Sequence, residues 1–117
     1  MGFGFRNLDL YLEIKGYVKF LYNLSRLYPK EEIFGLRSQL SRAATSVLLN
    51  FAEGMMSPSS KERRRFLQIC INSIGEIVAI GDLSLDLGVF TTSQHQEILI
   101  KSEDVIKRLY GLRRKYV

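Results

Sequence analysis

Residues 36–54 carry a hydrophobic pattern that repeats every three or four positions, which is the spacing of an α-helix with one buried face. The apolar members of the pattern are Leu36, Leu40, Ala43, Ala44, Val47, Leu48 and Phe51. A second stripe runs beside them at the same spacing, and it consists of Gln39, Arg42, Ser46, Asn50 and Glu53. The pattern therefore predicts a helix that buries one face and presents ordered polar groups along the edge of that face.

The same periodicity predicts three further helices and no strand, within a single domain spanning residues 1–117. The four helices are expected over about residues 7–28, 33–54, 60–87 and 92–116. Because the loops between them are short, consecutive helices are expected to pack side by side in opposite directions. The fold class predicted is all-α, an antiparallel up-down four-helix bundle.

Residues at the predicted helix ends support these limits. Asn7 is a possible N-cap of the first helix, and Gly54 is a natural residue to follow the second helix. Ser59 and Thr91 each precede a Glu or Gln by three positions, which is the form of a capping box at the start of the third and fourth helices. Gly75 and Gly81 lie inside the third helix, where each lowers helix stability by about 1 kcal/mol relative to alanine. A close approach of another helix would explain why glycine is present at these positions.

The apolar surface of the third helix is wider than one bundle core needs. Its main stripe consists of Leu67, Cys70, Ile74, Ile77, Val78 and Leu85. Ile69, Ile80 and Leu87 lie on a flanking arc, and Leu49 points away from the core face of the second helix. A broad core edge is one interpretation. The other, which we favour, is an interface of a closed homo-oligomer, because monomers rarely expose large apolar patches.

The polar stripe of the second helix has a counterpart on the third. Ser73 and Glu76 lie one turn apart on one edge of that helix, where they could face Asn50 and Arg42. We call these seven residues the polar ladder: Gln39, Arg42, Ser46, Asn50, Glu53, Ser73 and Glu76. Satisfied polar groups at a helix contact fix which helices pair and in what register, which is the structural interpretation. The functional alternative is a stripe that contacts a ligand or nucleic acid.

Composition places the chain among ordinary globular proteins and suggests its compartment. The sequence is 46% hydrophobic and 25% charged, and no apolar run approaches the roughly 18–20 residues of a membrane span. The N-terminus has no long apolar segment of the secretory kind. A single cysteine, Cys70, excludes an internal disulfide and fits a reducing compartment. The expected location is cytoplasmic, with no membrane partner.

Basic residues gather in two clusters within a chain of net charge +5 and pI near 9.5. Four of them open the third helix, and three close the fourth: Lys61, Arg63, Arg64 and Arg65, then Arg113, Arg114 and Lys115. A helix N-terminus favours acidic residues, so the first cluster stands where its charge is unfavourable. Binding of phosphate by both clusters is one interpretation, which makes RNA or DNA a candidate partner, and a merely solvated face is the other.

No catalytic, cofactor or metal constellation is recognisable. Cys70 lies on an apolar stripe and His95 stands alone at a helix start, so neither has the partners that nucleophilic catalysis or metal binding requires. There is no glycine-rich phosphate loop. Two carboxylates, Glu53 and Glu76, leave a minor enzymatic alternative, which a shared pocket would support. The chain is predicted to be non-enzymatic and to hold no cofactor.

Two segments carry a resemblance to a known family. They are YPKEEIFGLRSQLSRAATSVLLNFAEG and SSKERRRFLQICINSIGEI, and they resemble the small four-helix-bundle proteins encoded by intervening sequences in bacterial 23S ribosomal RNA genes. The matching positions are Pro29, Glu31, Gln39, Arg42, Ala43, Ser46, Asn50, Glu53, Gly54, Glu62, Phe66, Ser73 and Glu76. The chain departs from the family pattern at Arg64 and Arg65, which add charge, and at Asn72, which replaces a usual glycine.

The resemblance implies a homopentameric four-helix bundle whose function is poorly defined. The family is also similar in fold to accessory proteins of diversity-generating retroelements, which form basic pentameric barrels that bind nucleic acid and a reverse transcriptase. The leading hypothesis is thus a homo-oligomeric scaffold that binds nucleic acid or a nucleic-acid-handling protein such as a reverse transcriptase. The alternative is an oligomeric protein-interaction module without nucleic-acid binding.

Overall fold

Four α-helices form the chain in a computed structural model that describes residues 2–116, a range in which no strand occurs. They are α1 (Asp9–Ser25), α2 (Leu36–Met56), α3 (Ser60–Asp86) and α4 (Thr92–Arg113), with short 3-10 helices at Gly4–Asn7 and Lys30–Glu32. Each helix contacts the next along the chain, and α4 returns to contact α1 less extensively. The predicted all-α class and the four-helix bundle are confirmed.

The first two helices begin later than predicted, for local reasons. Helix α1 also ends earlier, at Ser25, and α4 ends at Arg113 rather than near residue 116. α1 begins at Asp9 behind Leu8, so Asn7 is not its N-cap and lies instead in a 3-10 turn. The start of α2 is delayed to Leu36, because Gly35 adopts a ψ of −116° that no helix accommodates. Glu32 supplies the missing cap from a distance, since its carboxylate accepts the Leu36 amide at 3.1 Å.

Gly54 does not follow α2 as predicted but lies inside it, two residues before the helix ends at Met56. A Cβ atom at Gly54 would stand 2.9 Å from Cβ of Phe66, so the glycine is what allows α3 to approach α2 here. Gly81 has a similar role, because its Cβ would meet the Ile98 side chain at 3.4 Å. The same prediction is wrong for Gly75, which is exposed and has open space around it.

The predicted caps of α3 and α4 are both present but differ in completeness. Oγ of Ser59 accepts the amide of Glu62 at 3.3 Å, without a return bond. At α4 the capping box is reciprocal: Oγ1 of Thr91 accepts the Gln94 amide at 3.1 Å, and the Gln94 side chain accepts the Thr91 amide at 2.9 Å. These bonds satisfy backbone donors that a helix N-terminus leaves free.

The core contains most of the apolar positions expected from periodicity. Its largest fully buried side chains are Phe51, Ile14, Leu21, Leu40, Leu67, Ile74, Ile77, Ile98 and Leu109. One prediction fails: Ile80, which was placed on the flanking arc outside the main stripe, is buried. The flanking residues Leu49 and Leu87 are 58% and 59% exposed, as their positions on the helices predicted.

Helix α3 is the most apolar element of the bundle. It contains an 18-residue window with mean hydropathy 1.4, so by length and composition alone it could cross a membrane, and the expectation that no such run exists is wrong. Core helices of globular proteins pass the same test. Here eight residues of α3 are buried against the other helices, among them Leu67, Ile74 and Ile80.

Candidate nucleic-acid interface

The two basic clusters, about fifty residues apart in sequence, meet at one end of the bundle, where α3 begins and α4 ends. Arg113 of α4 donates a hydrogen bond to the side-chain oxygen of Gln68 on α3. Arg63 of α3 reaches the hydroxyl of Tyr116, beyond the end of α4, at 3.4 Å. We call this region, defined by Lys61, Arg63, Arg64, Arg65, Arg113, Arg114 and Lys115, the basic end.

An open groove of about 630 Å³ lies at the basic end between α3 and α4. Its lining residues are Lys61, Glu62, Arg64, Arg65, Gln68 and Arg113. Glu62 is the single acidic side chain among them, and it is occupied by Arg65 at 3.1 Å. The groove therefore keeps an excess of positive charge, and an anion entering it would meet cations from both helices.

The seven basic residues fall into two groups by their contacts. Arg63 is held inward, because its Nε donates to the carbonyl oxygen of Ser57 at 2.7 Å and its guanidinium lies 5.3 Å from the ring centroid of Tyr116. Arg113 is likewise held by Gln68 and lies 5.1 Å from the ring centroid of Tyr110. These contacts give both arginines a positioning role within the end of the bundle.

The remaining cations are exposed, and all but one have no partner within the described range. Lys61, Arg64, Arg114 and Lys115 form no ion pair or side-chain hydrogen bond with any residue between 2 and 116. Arg65 forms an ion pair with Glu62, an exposed contact of the kind worth about 0–1 kcal/mol. These exposed side chains can therefore bind an anionic ligand with little loss in the free energy of unfolding.

The polar ladder is assembled differently from the predicted pairing. Oγ of Ser46 lies 2.9 Å from Oγ of Ser73, which joins α2 to α3. Asn50 does not face Ser73, because its amide donates within α2 to the carbonyl oxygen and hydroxyl of Ser46, at 2.9 and 3.0 Å. In this arrangement Asn50 holds the Ser46 hydroxyl in place for the contact between the helices.

The outer members of the polar ladder line a small cleft beside this serine pair. The cleft measures about 330 Å³ and is lined by Gln39, Arg42, Ala43, Ser46, Ser73 and Glu76. Arg42 and Glu76 share it without closing an ion pair, and Glu53 does not line it. The shared pocket of Glu53 and Glu76 that an enzymatic role would need is therefore not formed there.

Candidate chemical groups elsewhere are engaged in packing. Cys70 is fully buried, its thiol donates to the Val47 carbonyl oxygen at 3.3 Å, and burial raises the pKa of the thiol to about 12. The expectation that His95 stands alone is wrong, because its ring lies 2.7 Å from an oxygen of Asp82, a contact that joins α4 to α3. No group of three His, Cys, Asp or Glu side chains in the described part of the chain is arranged to hold a metal ion.

Sequence reasoning missed three residues that contact the arginines of the basic end: Gln68, Tyr110 and Tyr116. The signal for Tyr110 was present, since it precedes Arg113 by three positions on one helix face. Gln68 and Tyr116 could not be found in the same way, because each contacts an arginine that is distant in sequence. Gln68 contacts Arg113, and Tyr116 contacts Arg63.

Comparison with known proteins identifies a family. A family model described as 23S rRNA-intervening sequence protein matches residues 6–111. The match covers the whole polar ladder and the basic start of α3, and it stops before Arg113. No curated protein matches the chain.

Proposed function

Since the chain belongs to the family of 23S rRNA-intervening sequence proteins, we propose that it is a non-enzymatic, homo-oligomeric scaffold that binds RNA or DNA through its basic end. The observation that carries the proposal is one groove lined by Lys61, Arg64 and Arg65 of the first basic cluster and by Arg113 of the second. Cations that converge from separate helices without neutralising partners suit a phosphate backbone, because each contact releases counterions and adds affinity.

The oligomeric part of the proposal rests on apolar surface that the single chain leaves exposed. Leu49, Leu83, Leu87 and Ile100 are each about half exposed, and only 39% of the apolar window in α3 is buried. Hydrophobic side chains in such numbers are stabilised when a second copy covers them. We propose a closed ring, which the family resemblance implies to be a pentamer, and each subunit would add one basic end to the assembly.

Within each subunit we propose an up-down, antiparallel helix order. The contacts between neighbouring helices support it, because residue numbers fall along one helix as they rise along the next. Ser46 meets Ser73 and Gly54 meets Phe66 between α2 and α3. Between α1 and α4, Glu13 meets Arg108 and Tyr17 meets Ser102. A cytoplasmic location and a reverse transcriptase or other nucleic-acid-handling partner complete the proposal.

Binding can be tested by fluorescence anisotropy with short labelled RNA and DNA oligonucleotides, at salt concentrations from about 50 to 200 mM. The variant to compare is Lys61→Gln/Arg64→Gln/Lys115→Gln, which removes three exposed charges and leaves the inward contacts of Arg63 intact. We expect the slope of log affinity against log salt to fall by about 2 to 3, since each lost phosphate contact removes roughly 0.7–0.9.

The matched control is Arg26→Gln/Lys30→Gln/Arg37→Gln, which removes the same charge from the opposite end of the bundle. Equal losses in both triple variants would mean that net charge, not the basic end, attracts the nucleic acid. The proposal would be overturned if the parent protein showed no salt-dependent binding at low ionic strength.

A second candidate function is an oligomeric protein-interaction module without a nucleic-acid role, and the exposed apolar side chains favour it. Native mass spectrometry of the purified protein separates the two, because it retains subunits and bound RNA or DNA together. A ring free of nucleic acid, combined with absent oligonucleotide binding, would favour the module. A monomer at micromolar concentration would contradict both.

A further inference from the structure

We infer that the basic end selects single-stranded over double-stranded nucleic acid, with an unpaired base stacked on Tyr110 beside the guanidinium of Arg113. This inference rests on the proposed function and adds to it the state of the strand that is bound. It concerns unpaired bases and their phosphates, which single-stranded RNA and single-stranded DNA share.

The first observation is that arginines and aromatic rings are paired at the basic end. Three arginine–aromatic pairs occur within the described range, and all three are there. They are Arg63 over Tyr116, Arg65 over Phe66 and Arg113 over Tyr110, with 5.3, 4.5 and 5.1 Å between guanidinium carbon and ring centroid. Aromatic rings and guanidinium planes are the surfaces on which proteins stack unpaired bases.

The second observation is that one of these pairs is both accessible and held in place. Tyr110 is 38% exposed, whereas Tyr116 and Phe66 are only partly exposed and pack against neighbouring side chains. Arg113 lines the basic groove, and its bond to Gln68 fixes the guanidinium across the gap between α4 and α3. Gln68 is itself fixed, since its amide donates to Asn72 at 2.9 Å.

The third observation is the position of the exposed cations relative to this platform. Lys61 and Arg64 line the same groove as Arg113, and both are exposed and without an ionic partner among residues 2–116. A strand that follows these cations with its phosphates brings its bases towards the ring of Tyr110. In a duplex the bases are stacked on each other and offer only their edges, so a stacking platform favours an unpaired strand.

The test compares four labelled ligands of equal length in fluorescence anisotropy at one low salt concentration: single-stranded RNA, single-stranded DNA, a blunt duplex, and a single strand with abasic sites. We expect the two base-bearing single strands to bind about tenfold or more tightly than the duplex and the abasic strand, the size of losing one stacked base. Similar affinities for RNA and DNA would indicate stacking alone, and a preference for RNA would add a contact to the 2′-hydroxyl.

The variant for this test is Tyr110→Leu, which keeps an apolar side chain on an exposed helix position and removes the ring. We expect affinity for the single strands to fall about tenfold, with duplex affinity unchanged, and Tyr110→Phe to retain binding because the ring remains. The matched control is Tyr22→Leu on α1, which removes a similarly exposed tyrosine elsewhere.

The outcomes distinguish this inference from the proposed function. Equal affinity for single strands, duplex and abasic strand would overturn the inference and leave phosphate binding at the basic end standing. A loss in Tyr110→Leu that extends equally to the duplex would also overturn it, since a stacking contact cannot explain that result. Absence of binding to all four ligands would overturn the proposed function and the inference with it.

Discussion

The two ends of the bundle are completed in different ways. At one end, which we call the closed end, Thr91 caps α4, and buried contacts among Tyr28, Ser84 and Phe90 link the segment after α1, helix α3 and the turn before α4. The Tyr28 hydroxyl bonds to Ser84, its ring lies 5.2 Å from that of Phe90, and Gly88 turns the chain with a φ of 77°. The carbonyl oxygen of Ser84 accepts the amides of Val89 and Phe90 at 2.9 and 3.3 Å, so the turn is fixed to the end of α3.

The basic end is completed by arginine contacts and leaves several charges free. Arg63 and Arg113 replace the buried tyrosine and phenylalanine of the closed end as the groups that link elements. Lys61 and Arg64 stand in the first turns of α3, where the helix dipole makes a cation unfavourable by about 0.3–1 kcal/mol. The closed end is therefore stabilised by buried contacts, while the basic end carries exposed cations at a small electrostatic cost.

The largest expected difference between the ends concerns the aromatic groups that complete them. Phe90→Ala removes a ring that is 3% exposed, and we expect it to lower the free energy of unfolding by about 3–5 kcal/mol. Tyr116→Ala, its counterpart at the basic end, removes a partly exposed ring and an arginine contact worth about 0.5–1 kcal/mol. Urea denaturation measures both, and equal losses would contradict the comparison.

Helices α2 and α3 pack closely at Gly54, near the basic end, and Gly54→Ala tests this contact. The new Cβ would stand 2.9 Å from Cβ of Phe66, and overpacking of this kind costs about 1–3 kcal/mol, partly offset by the better helix propensity of alanine. Gly16→Ala is the matched control, because the space around this α1 glycine is open and the variant should gain about 0.5–1 kcal/mol. Thermal unfolding that ranks the two variants the other way would refute the close approach of α2 and α3.

The helix caps give a smaller contrast between the ends. Thr91→Ala removes a reciprocal capping box at the closed end, and we expect a loss of about 1 kcal/mol in the free energy of unfolding. Ser59→Ala removes a single, longer bond at the basic end, so its effect should be smaller. Chemical denaturation of the two variants side by side decides the matter, and a larger loss for Ser59→Ala would reverse the ranking.

The smallest expected effect at neutral pH comes from Tyr28→Phe. Ser84 keeps a partner after this change, since its hydroxyl also donates to the Ile80 carbonyl oxygen at 2.7 Å, so we expect a loss of about 1 kcal/mol or less. Burial raises the pKa of Tyr28 above its ordinary value of 10.0, with an opposing contribution from its bond to Ser84.

The alkaline behaviour of the same variant sharpens the test. Because the folded protein holds the Tyr28 proton more tightly than the unfolded chain, this contribution to stability is complete below pH 10 and is lost as pH rises above it. Unfolding curves from pH 8 to 11 should therefore fall less steeply for Tyr28→Phe than for the parent protein. Parallel curves would show that Tyr28 is not the titrating group.

Much of the fold could be predicted because its signals are local. The spacing of Leu40, Val47 and Phe51 defines a buried helix face without knowledge of any other element. The capping box at Thr91 depends on residues three positions apart, and it forms as predicted. Predictions failed where a neighbour intervened: Gly54 was expected to follow α2, but it lies inside the helix, where Phe66 of α3 leaves no room for a Cβ atom.

The sequence identified the two basic clusters of the candidate site, but it did not predict that they lie side by side. Lys61 and Arg64 could be recognised as cations in an unfavourable position from the sequence of one helix. Their proximity to Arg113 depends on the lengths of α3 and α4 and on the turn at Gly88, because these determine where the end of α4 lies relative to the start of α3. The contacts that hold Arg63 inward and leave Arg64 exposed are equally nonlocal.

By itself the sequence determined four helices, their buried faces and the membership in a family, because periodicity and local motifs are properties of neighbouring residues. Only the tertiary structure decided which cations are held by partners, which remain exposed, and that Ser46 rather than Asn50 reaches Ser73. The physical reason is that hydrogen bonds and ion pairs act over about 3–4 Å. Whether two side chains come that close depends on how whole helices are placed, which no local pattern encodes.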